Sequence, residues 1–215
     1  CIPEGNLIKR NILTFEDAKT TAKAAWEGKE FIASIDEAFR PVNLFNGPDG
    51  AMYILDMHRG IIQHKAYLTQ YLAKQLADKQ LDTIKGMGRI LKVTNKNNPA
   101  TNVPNLVEAS NPELIKMLSN KNGWVRDRAQ QLLINKQDAS IISSLEKMVL
   151  DADQNSSQIH ALYALDGMNK TSFKLLQNIL TNDVSENQTK AHALLLSEIY
   201  AVIENVLSMV LIAKK

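Results

Sequence analysis

The sequence predicts an α+β chain in two parts, extended chain up to residue 97 and helices from residue 112 onward. Three observations predict it. Alternating apolar residues flank a Pro48-Asp49-Gly50 turn, a run of turn formers follows near residue 100, and beyond it alanine and leucine recur at a constant step.

Along the first part, residues 6–15 put Ile8, Arg10 and Ile12 on one face and Leu7, Lys9 and Asn11 on the other, as a half-exposed strand would. A second strand is expected over Glu30 to Ser34. Next comes the hairpin: Pro48 presets φ, Asp49 can bond its own backbone and Gly50 accepts a positive φ. On its second strand Met52, Ile54 and Asp56 alternate with Tyr53, Leu55 and Met57, so both faces are mostly apolar and the strand is expected to be sandwiched. Tyr67, Leu68, Tyr71, Leu72 and Leu76 recur at threes and fours and predict an amphipathic helix over 66–76. Gly88 to Thr94 alternates again, as the outer strand of the same sheet. Together these elements read as one blade of a β-propeller and part of another.

From Asn95 to Glu108 periodicity disappears among Asn, Pro and Thr, the signature of a linker. Asn111-Pro112-Glu113 then reads as a cap followed by proline at the first helical position. Helices are predicted over 112–119, 123–135, 139–150, 156–167, 170–181 and 186–213. Ala129, Ala161 and Ala193 recur every 32 residues, and Ile142, Leu145 and Val149 correspond to Phe173, Leu176 and Leu180 at a step of 31. Helix pairs of this period stack into an α-solenoid of HEAT type. An irregular bundle is the alternative. The domains are accordingly 1–97, a terminal blade region with an inserted helix; 98–111, the linker; and 112–215, HEAT-like repeats.

With 215 residues, 45% hydrophobic and 22% charged, the composition is that of a globular protein. A net charge of +2, from 25 basic and 23 acidic residues, supplies no field that would draw in nucleic acid. Cys1 is the only cysteine, which excludes an internal disulfide and a Cys-x-x-Cys-His haem attachment. Its first place reads either as the lipidated end of a processed lipoprotein or as the end of a fragment with Cys1 an ordinary buried residue; the fragment is expected. No transmembrane span is expected, because Glu198 and Glu204 interrupt the C-terminal apolar run before the roughly 20 residues a bilayer needs.

The blocks Pro3 to Arg10, Phe39 to Leu44, Gly47-Pro48-Asp49-Gly50, Asp56-Met57-His58-Arg59-Gly60-Ile61-Ile62-Gln63-His64, Gly88-Arg89-Ile90 and Trp124 to Gln130 carry a family resemblance over nearly the whole chain. It resembles the PQQ-dependent glucose/sorbosone dehydrogenase-like β-propellers, in the long bacterial membrane-bound dehydrogenase form that runs propeller, HEAT repeats and cytochrome c haem domain. The resemblance implies a periplasmic or exported fragment of a quinoprotein sugar or alcohol dehydrogenase, with PQQ and calcium as cofactors and haem in a missing downstream domain. It also implies a sugar or alcohol substrate for the full-length protein, and a protein partner or cytochrome domain on the repeats. An intact propeller needs about 4–8 blades of four strands, so the chain alone is expected to be inactive. The family pattern would have Tyr where this chain has His58.

Candidate chemistry falls at the end of the second hairpin strand. Asp56 and His64 are the catalytic candidates, able to take a hydroxyl proton while hydride leaves for a quinone. His58 and Arg59 are the binding candidates, Arg59 through a planar fork on a carboxylate. The structural alternative has Asp56 capping the next turn, Arg59 pairing with it and His64 in the core. The Asp-x-His-x5-His spacing matches no zinc pattern, and no metal site is expected. His160 and His192 occupy equivalent repeat positions and read as duplicated interface residues. Trp124, Arg126 and Arg128 read as packing, and no nucleophile triad or phosphate-binding glycine loop appears. A non-catalytic module whose repeats dock another protein is the second functional reading.

Overall fold

The computed structural model describes residues 1–16, 19–97, 102–151, 154–183 and 185–198. The chain divides into two compact units, Cys1–Asn102 and Val103–Lys215. It is mixed α and β, with small antiparallel sheets and, among the described residues, seven α-helices.

In the first unit β1 (Leu7–Ile8) pairs with β4 (Ile32–Ala33), and β2 (Asn11–Glu16) with β3 (Lys19–Ala24). The single strand expected over 6–15 is therefore two. Ile8 is buried in the core whereas residues 9–16 are all exposed, so the chain leaves the core at Lys9 and a hairpin stands out from it. Cross-strand partners share a face, which gathers Leu13, Phe15, Ala22 and Thr20 on one side of that hairpin.

The central sheet has the order β5 (Pro41–Asn46), β6 (Met52–Asp56), β7 (Arg89–Val93). It has three strands and closes no barrel, where a complete propeller blade has four. At the β5–β6 turn Gly50 takes φ 78°, and the Asp49 carboxylate accepts the Ala51 N–H at 3.1 Å and the Tyr53 hydroxyl at 3.1 Å. Ile54 packs with Ile8 and Phe39, backed by Leu44, Leu91 and Val93. The sandwiched strand is a correction: among the described residues only this face is covered. On the other face Leu55 and Tyr53 are half-buried between Phe45, 51% exposed, and Ile90, 68% exposed.

Between β6 and β7 the helix starts later than the periodicity predicts. One 3-10 turn at Lys65–Tyr67 precedes α1 (Gln70–Asp78), capped by Thr69, whose hydroxyl accepts the Leu72 N–H at 3.2 Å. Its only buried residue is Leu76, while Tyr67 and Tyr71 are exposed. Cys1, expected to be buried, is exposed.

The second unit holds α2 (Asn111–Met117), α3 (Gly123–Lys136), α4 (Ile142–Asp151), α5 (Asn155–Gly167), α6 (Phe173–Thr181) and α7 (Asn187–Ser197). The cap of α2 is Ser110 rather than Asn111: Ser110 and Glu113 form a reciprocal capping box, with Pro112 in the first turn. Leu106, within the segment expected as linker, is buried in the helical core. The predicted helix over 186–213 is seen as α7, and its continuation beyond residue 198 lies outside the described residues.

Neighbouring helices pack α2 on α3, α4 on α5 and α6 on α7, while α3 meets α5, α5 meets α7 and α4 meets α6. Ala129, Ala161 and Ala193 are all fully buried, as a close approach between stacked helices requires. Beside them runs a polar ladder. His160 Nδ1 lies 2.7 Å from Gln130 Oε1, Tyr163 Oη 3.0 Å from His192 Nδ1, and the Thr189 hydroxyl donates to Gln158 Oε1 at 2.9 Å.

Burial pushes the His160 imidazole below its ordinary value of 6.5; the Arg126 charge adds to this and Asp127 opposes it. The unfolded chain then takes up this proton more readily, so the contribution of neutral His160 is complete above pH 6.5 and is lost as pH falls through the lowered value. Urea unfolding of wild type between pH 7 and 5 should show that loss, and His160→Gln should show a shallower one.

Candidate functional site

The site is a hook of chain at the end of β6. Where β5 meets Asp56 the register slips by one residue at Val42, and Pro41 comes to face Asp56. This bulge re-aims the backbone. The Arg40 N–H donates to Asp56 Oδ1 at 2.7 Å. The His58 N–H donates to the same oxygen at 2.9 Å, which closes an Asx turn and places His58 at φ 41°. Arg89 Nε donates to Asp56 Oδ2 at 2.8 Å.

Asp56 is thus a carboxylate whose side chain is wholly removed from solvent and whose two oxygens both accept. Burial, the largest influence, pushes its carboxyl up; the Arg40 and His58 N–H bonds and the Arg89 guanidinium together outweigh it and hold the carboxyl below its ordinary value. Such a group is a firm acceptor and a weak base. Asp36 lies alongside, its Oδ2 3.7 Å from Arg89 Nη2 and 3.8 Å from His58 Nδ1. His58 Nδ1 is also 3.7 Å from Asp56 Oδ2 and, though buried, has no hydrogen-bond partner among the described residues.

A second cation holds the hook from behind. Arg40, 9% exposed, donates from Nε to the Arg59 carbonyl at 3.1 Å, from Nη1 to the Pro3 and Glu4 carbonyls at 2.9 and 3.3 Å, and from Nη2 to the Gly60 carbonyl at 2.9 Å. Its guanidinium is spent on backbone. Sequence reasoning gave no role to Arg40 or to Arg89, although both stand in the blocks that carry the resemblance. A buried-charge argument for Asp56 would have asked for a cation without saying which one.

The four candidates therefore separate. Asp56 and His58 meet within the hook. Arg59 and His64 are exposed, and Arg59 does not pair with Asp56; the Arg59 N–H bonds the Ala38 carbonyl at 2.9 Å and its side chain has no ion-pair partner among the described residues. His64 stands outside the core, edge-on to Tyr67 with ring centroids 6.1 Å apart. His64 Nδ1 accepts the Ala66 N–H at 3.2 Å, which puts the proton of the neutral ring on Nε2. His64 presents a donor outward. Among the described residues no three His, Cys, Asp or Glu side chains converge as a metal site would require. None of the described helices is long and apolar enough to cross a membrane.

In the helical unit, Arg128 lies over the Trp124 ring at 5.6 Å, and Arg126 Nη1 donates to the Asn120 carbonyl at 2.8 Å. Both arginines serve the start of α3.

Residues 1–97 match a family model described as a domain of unknown function, DUF7133. No curated protein and no solved structure matches the chain.

Asp56→Ala should destabilise the N-terminal unit by about 2–5 kcal/mol, because two N–H donors and the Arg89 charge lose their acceptor. Asp56→Asn, which keeps an acceptor oxygen, should cost less; equal costs in chemical denaturation would mean the charge alone matters. Acid should act on the same group: the stability it supplies is full above its ordinary value of 3.8 and is lost as pH falls through the lowered one. A Cβ at Gly60 would be driven onto the Leu81 carbonyl oxygen and within 2.6 Å of Leu81 Cβ, so Gly60→Ala should cost about 1–3 kcal/mol.

Proposed function

We infer that this chain is part of a quinoprotein-type sugar or alcohol dehydrogenase-like protein, with residues 1–97 contributing the end of a β-propeller and the helices forming HEAT-type repeats. One observation carries this reading beyond the family resemblance. The central sheet is apolar on both faces but covered on one, with Phe45 and Ile90 on the open side. Sheets built this way are middle layers, and a propeller stacks such sheets around a channel.

In this reading the Asp56 hook is a positioning element and the exposed residues that follow it meet the ligand. The site residues fit a carboxylate-bearing group: the unpaired, exposed Arg59 can hold a carboxylate through its fork. His64 can donate from Nε2 to a ligand oxygen, and a role as base first requires the proton to move to Nδ1 with loss of the Ala66 bond. PQQ, when bound, supplies the acceptor for the substrate hydride. For calcium, no three acidic side chains converge among the described residues, so its oxygens would have to come in part from carbonyls or water. The protein is exported in this reading, and haem belongs to a further domain.

A second reading has its own support. Both oxygens of Asp56 are engaged within the fold, Oδ1 by two backbone N–H groups and Oδ2 by the Arg89 guanidinium, as a structural residue's would be. The chain is then a binding module, with the helical unit docking a partner protein.

Dye reduction separates the two. The full-length protein, given PQQ, calcium and a panel of sugars and alcohols, should reduce an artificial acceptor, and Arg59→Ala or His64→Ala should lower the rate by about tenfold or more without moving the melting temperature. Absence of turnover together with absence of a thermal shift on adding PQQ would leave the binding module.

A further inference from the structure

We propose that the outer edge of β7 pairs with the same edge of a second copy of this chain, antiparallel about a twofold axis at Leu91. The edge is distinct from the open face of the central sheet and from the Asp56 hook, and its pairing does not rest on the dehydrogenase reading.

The hairpin bond from the Gly47 N–H to the Ala51 carbonyl, 2.8 Å, fixes the phase of the sheet. Counting from it, Phe45 with Tyr53 and Asn43 with Leu55 are the hydrogen-bonded pairs of β5 and β6, and the bond from the Met57 N–H to the Arg40 carbonyl, 3.0 Å, has the same parity. Tyr53 and Leu55 therefore direct their backbone groups at β5, while Met52, Ile54 and Asp56 direct theirs at Val93, Leu91 and Arg89. What remains on β7 is the N–H and C=O of Ile90 and of Lys92, pointing away from the sheet. Both residues are exposed, and no other described strand pairs with β7.

A free edge is a template for another strand unless the fold blunts it. The opposite edge is blunted three ways: Pro41 lacks an N–H, the register slips at Val42, and the outward Leu44 N–H is taken by Asn43 Oδ1 at 2.8 Å. On β7 none of these devices is present. It has no proline and no bulge; Arg89 donates to Asp56, and Lys92 Nζ lies 2.5 Å from Asp49 Oδ2. That last bond holds the Asp49 carboxyl below its ordinary value and the Lys92 amine above its own. The basic residues that would repel an incoming strand are spent inside their own sheet.

Self-pairing follows from the register. Residues that exchange both bonds in an antiparallel pair lie opposite each other, and placing Ile90 of one copy opposite Lys92 of the other uses the outward groups of both residues on both strands. Leu91 then faces its own copy on the axis and Arg89 faces Val93, so each cation meets an apolar residue and no like charges are opposed. Leu91 carries the apolar row Leu44–Ile54–Leu91 across the axis, and Ile90, 68% exposed, lies along the aliphatic stem of Lys92. Other registers are worse: Ile90 opposite Ile90 leaves Lys92 against Gly88, and Lys92 opposite Lys92 sets like charges together. Five residues of strand span about 17 Å, a short interface, so the dimer is weak and concentration-dependent.

Sedimentation of the full chain over a concentration series should show a monomer–dimer equilibrium with Kd on the order of 1–100 µM, and the Ile90 and Lys92 amides should exchange more slowly as dimer accumulates. Ile90→Lys sets a second ammonium opposite Lys92 at a position exposed in the monomer. It should weaken dimerisation by about tenfold or more with the monomer's melting temperature unchanged, and added salt should recover part of the loss. In a Cys1→Ser background, Leu91→Cys should give a covalent dimer on mild oxidation, whereas Val93→Cys, which faces Arg89, should not; if Leu91→Cys does not fold, Ile90→Lys decides alone. A monomer at every concentration, or a dimer indifferent to Ile90→Lys, overturns the proposal. A monomer whose Ile90 and Lys92 amides exchange slowly overturns it too, and gives the edge to another strand of the full-length protein.

Discussion

An ionised carboxylate with no solvent contact sets the geometry of the N-terminal unit. Moving such a charge out of water costs several kcal/mol, and the fold offsets it by bringing three donors from three places in the sequence to Asp56. Those donors fix the start of β5, the turn after β6 and the start of β7 at once. Arg40 works in the opposite sense, as a buried cation that gathers four carbonyls from the first residues of the chain and from the hook. Among the described residues, Ile8, Phe39 and Ile54 form the buried apolar cluster of this unit. With so small a core, directional polar contacts, rather than the volume of packed side chains, decide where the strands end.

The helical unit obeys a different constraint. Its buried cluster runs from Leu106 to Ala193, and its spacing is set where Ala129, Ala161 and Ala193 let neighbouring helices approach. Hydrogen bonds from one repeat to the next, such as Gln130 to His160 and Tyr163 to His192, pin the rotation of each helix within that stack. Apolar contact alone would tolerate sliding; the ladder does not.

What the sequence made legible follows from how local each cause is. The hairpin could be read because Pro48, Asp49 and Gly50 act within a few residues, and the helices because their small and large residues recur. The break after Ile8 and the strand at Lys19–Ala24 could not. The first depends on where the core stops, and the second is Lys-Thr-Thr-Ala-Lys-Ala, a run whose pairing with Asn11–Glu16 supplies what its composition lacks. The candidate residues were legible as types but not as roles. Asp56 and Arg89 are 33 residues apart, so no spacing rule joins them, and Arg59 looked like the natural partner because it is near in sequence.

Separating Asp56 from Arg59 matters for what the hook can do. A carboxylate held by three donors resists reorganisation, and the loop that it anchors inherits that rigidity through the His58 turn and the Arg40 bonds to the Arg59 and Gly60 carbonyls. The Arg59 backbone is fixed while its guanidinium has no ion-pair partner among the described residues. Binding sites are more selective when their supports are rigid and their contacting groups are not already paired, because little ordering cost and no competing bond then oppose the ligand. Had Arg59 paired with Asp56, a ligand carboxylate would have had to break that pair; with Arg89 in its place, the charge that stabilises the fold and the charge available to a ligand are different residues.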